Sequence, residues 1–511
     1  MLATFAAPLL QGICAYRAKR FARALDAVET TQRETLQRIV RACCGTNFAH
    51  EYGLRHDDNR EAFRRKLPIS DYASLAARIE RQRRDPTTAT ITPGRVHCFE
   101  PTSGSSGATK AIPYNAALLG AFRSLFAIWV HDLLRHRLRL RSGRTFISVS
   151  PSFGAPRGLA DDRDYLSGLQ RTLVGHFLLT PSTRPAGSIE AFRRQLALDL
   201  LACTDLEIVS VWNPGYLLVL MDYVESRDPA LMRELPAAQR RLLENNASPW
   251  AALWPRLQLV SCWTSAAAAL PARQLALRLS QAHVQGKGLL ATEAPVTLPL
   301  ESAGGCVPLL DEVFLEFERD DGGVDLLHEL EQDIDYGIVV TQPGGLLRYR
   351  LGDRVRVSGR YRDAPLLAFV GRADAVSDLV GEKLHEDFVD SALRTLFDDA
   401  SFVTLVPVLP TQGRPFYACL TDAPSGTDTD LAARIDRTLQ RALRYGEARA
   451  LGQLDGVRIV AMSDMRRRVH DHYADCGMAI GDIKERPLIT TLETARLLYT
   501  AIAADQFSST G

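Results

Sequence analysis

A chain of 511 residues, 46% hydrophobic and 24% charged, is long enough for two or more domains and has the composition of an ordinary soluble globular protein. Its 61 Lys and Arg against 60 Asp and Glu leave a net charge of +1, which argues against a polyanion partner such as nucleic acid. Nine scattered cysteines without a C-x-x-C pair, and histidines without ligand spacing, argue against a zinc cluster and for reduced thiols in a cytoplasm.

The opening "MLATFAAPLLQGICAYRAKRFARAL" carries its positive charges after the apolar stretch, not before it. It therefore predicts an amphipathic helix instead of a signal peptide. No uninterrupted apolar run is expected to be long enough to cross a membrane. The first ~80 residues read as mostly helical. "TTQRETLQRIVRACCG" offers hydroxyl residues at its start and Gly45 at its end, and "LPISDYASLAARIER" is a second capped start.

Next comes "FEPTSGSSGATKAIPYN", residues 99–115. Gly104 and Gly107 would let backbone N–H groups converge on an anion, while Ser103, Ser105 and Ser106 add donors and Lys110 adds charge. The pattern is not the nucleotide loop G-x-x-x-x-G-K-[ST], because no Ser or Thr follows Lys110. On its own, a plain surface turn is as good a reading as a phosphate cradle.

A long apolar helix, "AALLGAFRSLFAIWVHDLL", follows. Strand-like runs "TFISVS" (145–150), "EIVSVW" (207–212), "LQLVSCW" (257–263) and "VFLEFE" (313–318) then alternate with helical runs such as "IEAFRRQLALDLLA" and "PARQLALRLSQA". That alternation predicts an α/β architecture with a buried sheet flanked by helices. "QGKGLLATEAPVTLP" (285–299) sets the Thr292 hydroxyl beside the Glu293 carboxylate. Such a pair can hold a phosphate oxygen and a hydrated Mg²⁺, although a solvated Glu at a strand end is the commoner meaning.

Residues 338–370 are β-rich. "RYRLGDRVRV" is read as placing Asp353, after Gly352, in a tight turn, where it is either a holder of ribose hydroxyls or an ordinary hairpin Asp. Beyond "GRADAVSDLVGEKL" the pattern is compact α+β: a helix near 385–397, two strands, a helix near 428–447, a strand and a last helix. This predicts a large domain over 1–374 and a small one over 375–511. "MRRRVHDH" (465–472), the one compact basic run, reads as a solvated face, and Lys484 in "GMAIGDIKERPL" reads as an ordinary surface lysine.

Each signal alone is weak, but their order is informative. A hydroxyl/Gly loop with Lys, then T-E, then Y-R-x-G-D, then G-R-x-D, then a C-terminal Lys resembles the adenylate-forming superfamily. More narrowly, "LWPRLQLVSCWTS", "VQGKGLLATEA", "YRLGDRVRV" and "LAFVGRADAVSDLVGEKLHEDFV" resemble the GH3 family of acyl acid amido synthetases.

The resemblance implies that a carboxylic acid reacts with MgATP to give an acyl-adenylate, and that an amine, usually of an amino acid, then attacks the acyl carbon. By the same resemblance, Ser103, Gly104, Ser105, Ser106, Gly107 and Lys110 would lie over the ATP phosphates. Thr292 would contact the AMP phosphate, Glu293 would sit near Mg²⁺, and Asp353 and Arg372 would reach the ribose. Lys484 would swing in with a mobile small domain. The acyl pocket would be lined from 115–133, "SPSFG" (150–154) and "VWNPGY" (211–216), with Phe122, Phe126, Trp129, Trp212 and Tyr216 suiting an aromatic or medium-chain acid and Arg123 pairing with its carboxylate. Core packing is the better reading for any single aromatic. Two departures stand out: Leu289 replaces the tyrosine expected against adenine, and Ser265 and Ala266 replace glycines. Two other functions remain open, an acid–thiol ligase and a degenerate nucleotide-binding sensor.

Overall fold

The computed structural model describes residues 2–101, 110–147, 178–179, 189–246, 248–372, 375–380, 382–399, 401–410, 413–423, 429–450, 452–478 and 483–508. The chain divides into two compact units. Unit 1 takes residues 1–143, 155–178 and 287–373, and unit 2 takes 144–154, 179–286 and 374–511.

Unit 1 opens with helices α1 (Leu2–Leu25), α2 (Val28–Cys43) and α3 (Tyr72–Arg84), with two short helices between the last two. No side chain caps the start of α2, contrary to the hydroxyl cap expected there. Its buried Gln32 anchors it instead, donating to the Leu310 and Val313 carbonyls at 2.6 and 2.8 Å and accepting from Leu315 N–H at 2.9 Å. The α3 start does carry a capping box: Asp71 accepts from Ser74 N–H at 2.9 Å and Ser74 Oγ accepts from Asp71 N–H at 3.1 Å.

Strands β1 (Val96–Pro101) and β2 (Ala111–Asn115) pair antiparallel and lead into α4 (Ala116–His136), whose cap Asn115 accepts from Leu118 N–H at 2.9 Å. Helix α4 has the length and mean apolarity of a bilayer span, although Arg123 and Asp132 interrupt its apolar run. More than half of it is buried, with Leu118, Ala121, Phe122, Leu125 and Ile128 in the unit 1 interior, so it serves as a core helix.

Unit 2 begins with β3 (Arg144–Ile147), β4 (Leu206–Ser210), β5 (Leu259–Cys262) and β6 (His283–Gly286), which pair parallel in that order. Helices α5 (Ile189–Ala202), α6 (Pro214–Glu225) and α7 (Ala269–Arg278) accompany them. Val209 and Val260 are fully buried neighbours in the sheet, as expected when helices cover its faces.

The chain then returns to unit 1. A hairpin of β7 (Thr297–Leu300) and β8 (Gly305–Pro308) precedes a five-stranded antiparallel sheet. Its strands are β9 (Phe314–Glu318), β10 (Val324–Leu326), β11 (Asp335–Thr341), β12 (Tyr349–Tyr361) and β13 (Ala364–Arg372), in the order β10-β9-β11-β12-β13.

The last segment completes unit 2 with α8 (Glu386–Arg394), β14 (Val403–Val408), β15 (Phe416–Thr421), α9 (Thr429–Leu439), α10 (Leu443–Ala450), β16 (Arg458–Ala461), α11 (Met465–Asp475) and α12 (Leu492–Ser508). Three expectations are corrected here. The helix near 428–447 is two helices, folded back because Asp436 on α9 accepts from Tyr445 at 2.7 Å and Arg449 at 2.9 Å on α10. The one last helix is also two. The basic run forms α11, and it is not a wholly solvated face: Arg466 is 4% and His470 2% exposed.

Candidate active site

In unit 1, pairing of Pro101 with Ala111 brings together the two ends of the Gly/hydroxyl stretch. Ser103, Gly104, Ser105, Ser106 and Gly107 themselves lie outside the described residues. Lys110 is half-buried, with Nζ 5.9 Å from the Tyr72 ring centroid, and the Tyr72 hydroxyl accepts from Ala111 N–H at 2.9 Å. Buried Tyr114, further along β2, donates its hydroxyl to the Thr292 carbonyl at 2.6 Å. One strand thus ties the end of the Gly/hydroxyl stretch to the Thr-Glu pair.

Thr292 and Glu293 form the tip of a tight hairpin. Ala291 and Ala294 exchange backbone hydrogen bonds at 3.1 Å in both directions, and Leu290 pairs with Pro295. Gly288 opens the turn at φ +70, where an added Cβ would stand 2.6 Å from the Thr297 carbonyl oxygen. Leu289, at the position expected against adenine, packs partly buried on the unit 1 core.

Glu293 is 8% exposed, and among the described residues its carboxylate makes no hydrogen bond or ion pair. A carboxylate so little exposed and without a partner among the described residues is a candidate to meet a cation or hydrogen-bond donors. Burial, and then the charge of Glu293, push the Tyr349 hydroxyl far above its ordinary value, keeping that neighbour neutral.

Asp353 does not sit in a turn. It lies inside the 13-residue strand β12, at a bulge. Gly337 pairs with Arg354 and Val339 with Arg350, so residues 351–353 stand opposite Ile338 alone, and Gly352 takes φ +82. Sequence patterning marks the glycine but cannot separate a bulge from a hairpin tip. Across the sheet, Asp353 is the register partner of Arg372, with Arg372 Nε 3.7 Å from Asp353 Oδ1. Two residues assigned to the ribose from separate motifs are therefore neighbours.

On α4, Arg123 Nε is buried and has no hydrogen-bond partner among the described residues. Phe122 stacks on Tyr114 at 5.8 Å within the core, while Phe126 and Trp129 meet edge to face at 6.4 Å.

In unit 2, Trp212 and Tyr216 flank the start of α6, where the Asn213 side chain accepts from Gly215 N–H at 2.8 Å. The Trp212 carbonyl accepts from Trp263 N–H at 2.9 Å, and the two rings lie 5.8 Å apart. Tyr216 is a core residue at 5% exposure; its buried hydroxyl has no hydrogen-bond partner among the described residues, and burial pushes its pKa up. "SPSFG" lies outside the described residues. Ala266 takes φ +49, a shape that glycine adopts without strain and alanine does not. Ser265 beside it is exposed.

Lys484 is exposed, with Nζ 4.7 Å from the Trp263 ring centroid, close enough for a cation–π contact. Glu386 stands in the electrostatic reach of Lys484, and its carboxyl is raised by burial against the opposing pull of Arg486. Sequence reasoning quoted the C-W-T motif but gave Trp263 no role. It also passed over Glu485, Arg466 and His470, for which only the basic run and the Lys484 loop offered a signal.

The GH3 family N-terminal domain matches residues 17–245, and the GH3 family central domain matches residues 307–372. The two matches together take in more than half of the chain. Jasmonoyl–L-amino acid synthetase JAR4 of Nicotiana attenuata is 23% identical, over 94% of this chain and 94% of its own length. GH3 domain-containing protein of Homo sapiens is 33% identical over a shorter stretch, 32% of this chain and 33% of that protein. Among solved structures, AtGH3.15 acyl acid amido synthetase in complex with 2,4-DB matches over 96% of both chains, with a TM-score of 0.80 at 17% identity, a likeness of fold. Both family domains fall in order along the chain, with the Thr-Glu hairpin and the bulged Asp353 strand in or beside them, and the chain belongs to the GH3 family.

Proposed function

We propose that the chain is an ATP-dependent acyl acid amido synthetase acting on a small carboxylic acid and an amino acid. The acid's carboxylate oxygen attacks the α-phosphorus of ATP, an oxygen–phosphorus bond breaks, and pyrophosphate leaves. The amine nitrogen then forms a bond to the acyl carbon, sheds a proton, and AMP departs. The first step must bring two anions together, and its barrier falls where fixed positive charge and donors meet them.

The observation that carries this reading is Glu293: a residue only 8% exposed, its carboxylate without a partner among the described residues, beside a Thr hydroxyl at a hairpin tip. Mg²⁺ characteristically takes one or two carboxylates and completes its shell with substrate phosphates and water, so a single glutamate fits it. Bound there, the ion would neutralise charge on the phosphates. Ser103, Gly104, Ser105, Ser106, Gly107 and Lys110 would hold those phosphates, Thr292 the AMP phosphate, and Asp353 and Arg372 the ribose. Arg123, whose Nε is buried and unsatisfied, suits the acid's carboxylate, with Trp212 and Tyr216 on the acyl side. Lys484 would neutralise charge as the adenylate forms, and a mobile small domain over 375–511 belongs to the same proposal.

Pyrophosphate release from MgATP, with jasmonic acid, 2,4-DB, benzoic acid and medium-chain acids, each with and without pooled amino acids, tests the reading. Acid-dependent release with an amide product by mass supports it. A thioester formed with coenzyme A in place of an amide would move it to an acid–thiol ligase, and ATP binding without release would leave a sensor. Lys484→Ala is expected to cut release by about 10²-fold or more; unchanged release would remove the role given to that lysine.

A further inference from the structure

Lys484 and Glu485 are chain neighbours with opposite surroundings. Lys484 is exposed, whereas the Glu485 side chain is 7% exposed and reaches Arg466 Nε at 3.3 Å and His470 Nε2 at 2.9 Å, both on α11. Arg466, 5% exposed as a side chain, is held in turn by Gln274 Oε1 of α7 at 2.7 Å. From another side, Gly215 of α6 makes room: a Cβ on it would lie 2.2 Å from Glu485 Oε1. One carboxylate is thus fixed by a guanidinium, an imidazole and a glycine slot, all within unit 2. The lysine beside it is presented to the Trp263 ring.

We propose that Glu485 is a positioning residue for Lys484, clamping the backbone at 484–485 so that the ammonium is held in one place for adenylation. The proposal rests on the adenylation reading above and adds to it a device for aiming the lysine. Buried ion clusters are weak stabilisers compared with apolar packing of the same volume. What this one supplies is direction: an apolar side chain at 485 would fill the slot without fixing which way the neighbouring lysine emerges. A group aimed in advance avoids the loss that follows when a reacting partner is misplaced by about an ångström, on the order of 10²-fold.

Two variants break the clamp differently. Glu485→Gln removes the charge and keeps the shape, whereas Gly215→Ala keeps every charge and fills the slot. Each is assayed with the acid giving the highest wild-type release in the panel above, and each is expected to cut pyrophosphate release about tenfold or more. In Glu485→Gln, amide formation from the synthetic acyl-adenylate of that acid should stay within about twofold of wild type, because the lysine serves the first half-reaction. In a Lys484→Ala background, Glu485→Gln should add no further loss, the signature of two residues acting as one.

Equal losses in both half-reactions of Glu485→Gln, or a further loss of about tenfold when it is added to Lys484→Ala, would overturn positioning and leave a structural ion cluster. Should neither variant yield folded protein, His470→Gln removes one of the two partners and carries the same expectation at smaller size. A wild type that releases no pyrophosphate with any acid sinks the adenylation reading and the clamp's purpose with it. Normal wild-type release matched by Glu485→Gln would overturn the clamp alone.

Discussion

Glu293 in unit 1 and Glu485 in unit 2 are buried to much the same degree, the first 8% exposed as a residue and the second 7% as a side chain. Of the two, only Glu485 has partners among the described residues. Arg466, His470 and the space at Gly215 account for it, while Glu293 meets nothing that would offset its charge among the described residues. The contrast separates two uses of a buried carboxylate. A paired one organises the chain around it, and one without a partner among the described residues leaves its charge for a group from elsewhere.

The sharpest way to break this contrast is Glu293→Gln. Acid-dependent pyrophosphate release is expected to fall about 10²- to 10³-fold, with the thermal midpoint unchanged or raised, because no partner among the described residues is stranded. A lowered midpoint with release intact would make Glu293 structural after all.

A second test sharpens the other side. Burial pushes the Glu485 carboxyl up, but Arg466 and His470 outweigh it and hold the group below the ordinary glutamate value. A group depressed on folding contributes stability that is fully present above its unfolded pKa of about 4.3 and is lost as pH falls through the lower folded value. Urea midpoints measured between about pH 3 and 6 should therefore show an acid limb that Glu485→Gln flattens. An unaltered limb would mean that other carboxylates carry it.

The smallest effect compares backbones. Unit 1 places a glycine, Gly352, at φ +82 in its bulge, whereas unit 2 places Ala266 at φ +49. Ala266→Gly should relieve strain and gain at most about 1 kcal/mol, read as a slight rise in midpoint. A drop would show that the alanine methyl contributes packing that exceeds its strain.

Much of the fold was legible because it is written in short-range patterns. Helix α4 and strands β4, β5 and β9 follow their apolar runs to within a few residues, and the Asp71 cap was visible in "ISDY". The failures share one cause: distant residues decided the outcome. No glycine or proline marks the break between α9 and α10, which depends on Asp436 receiving Tyr445 and Arg449 from the next helix. Nothing local says that "MRRRVHDH" will bury Arg466 and His470, because the residue that draws them in is Glu485. Gly352 was noticed, but whether its positive φ makes a turn or a bulge depends on pairing with β11. For the site, the motifs named residues without their surroundings. That Glu293 lacks a partner among the described residues, and that Asp353 and Arg372 stand across one sheet from each other, could be seen only in three dimensions.

The order in which the chain is threaded has a consequence for its synthesis. Unit 2 is assembled from segments on both sides of residues 287–373, which belong to unit 1. On a ribosome, which delivers the N-terminal parts first, α6 and the parallel strands emerge long before Glu485, and the last segment of unit 1, residues 287–373, emerges in between. The slot beside Gly215 must therefore remain unfilled through most of translation. Unit 1 has its full complement of chain when residue 373 appears, but the polar centre around Arg466 stays incomplete until the tail arrives. A nascent chain stalled shortly before residue 483 would carry a finished unit 1 and a half-built unit 2, with α11 present and its carboxylate missing.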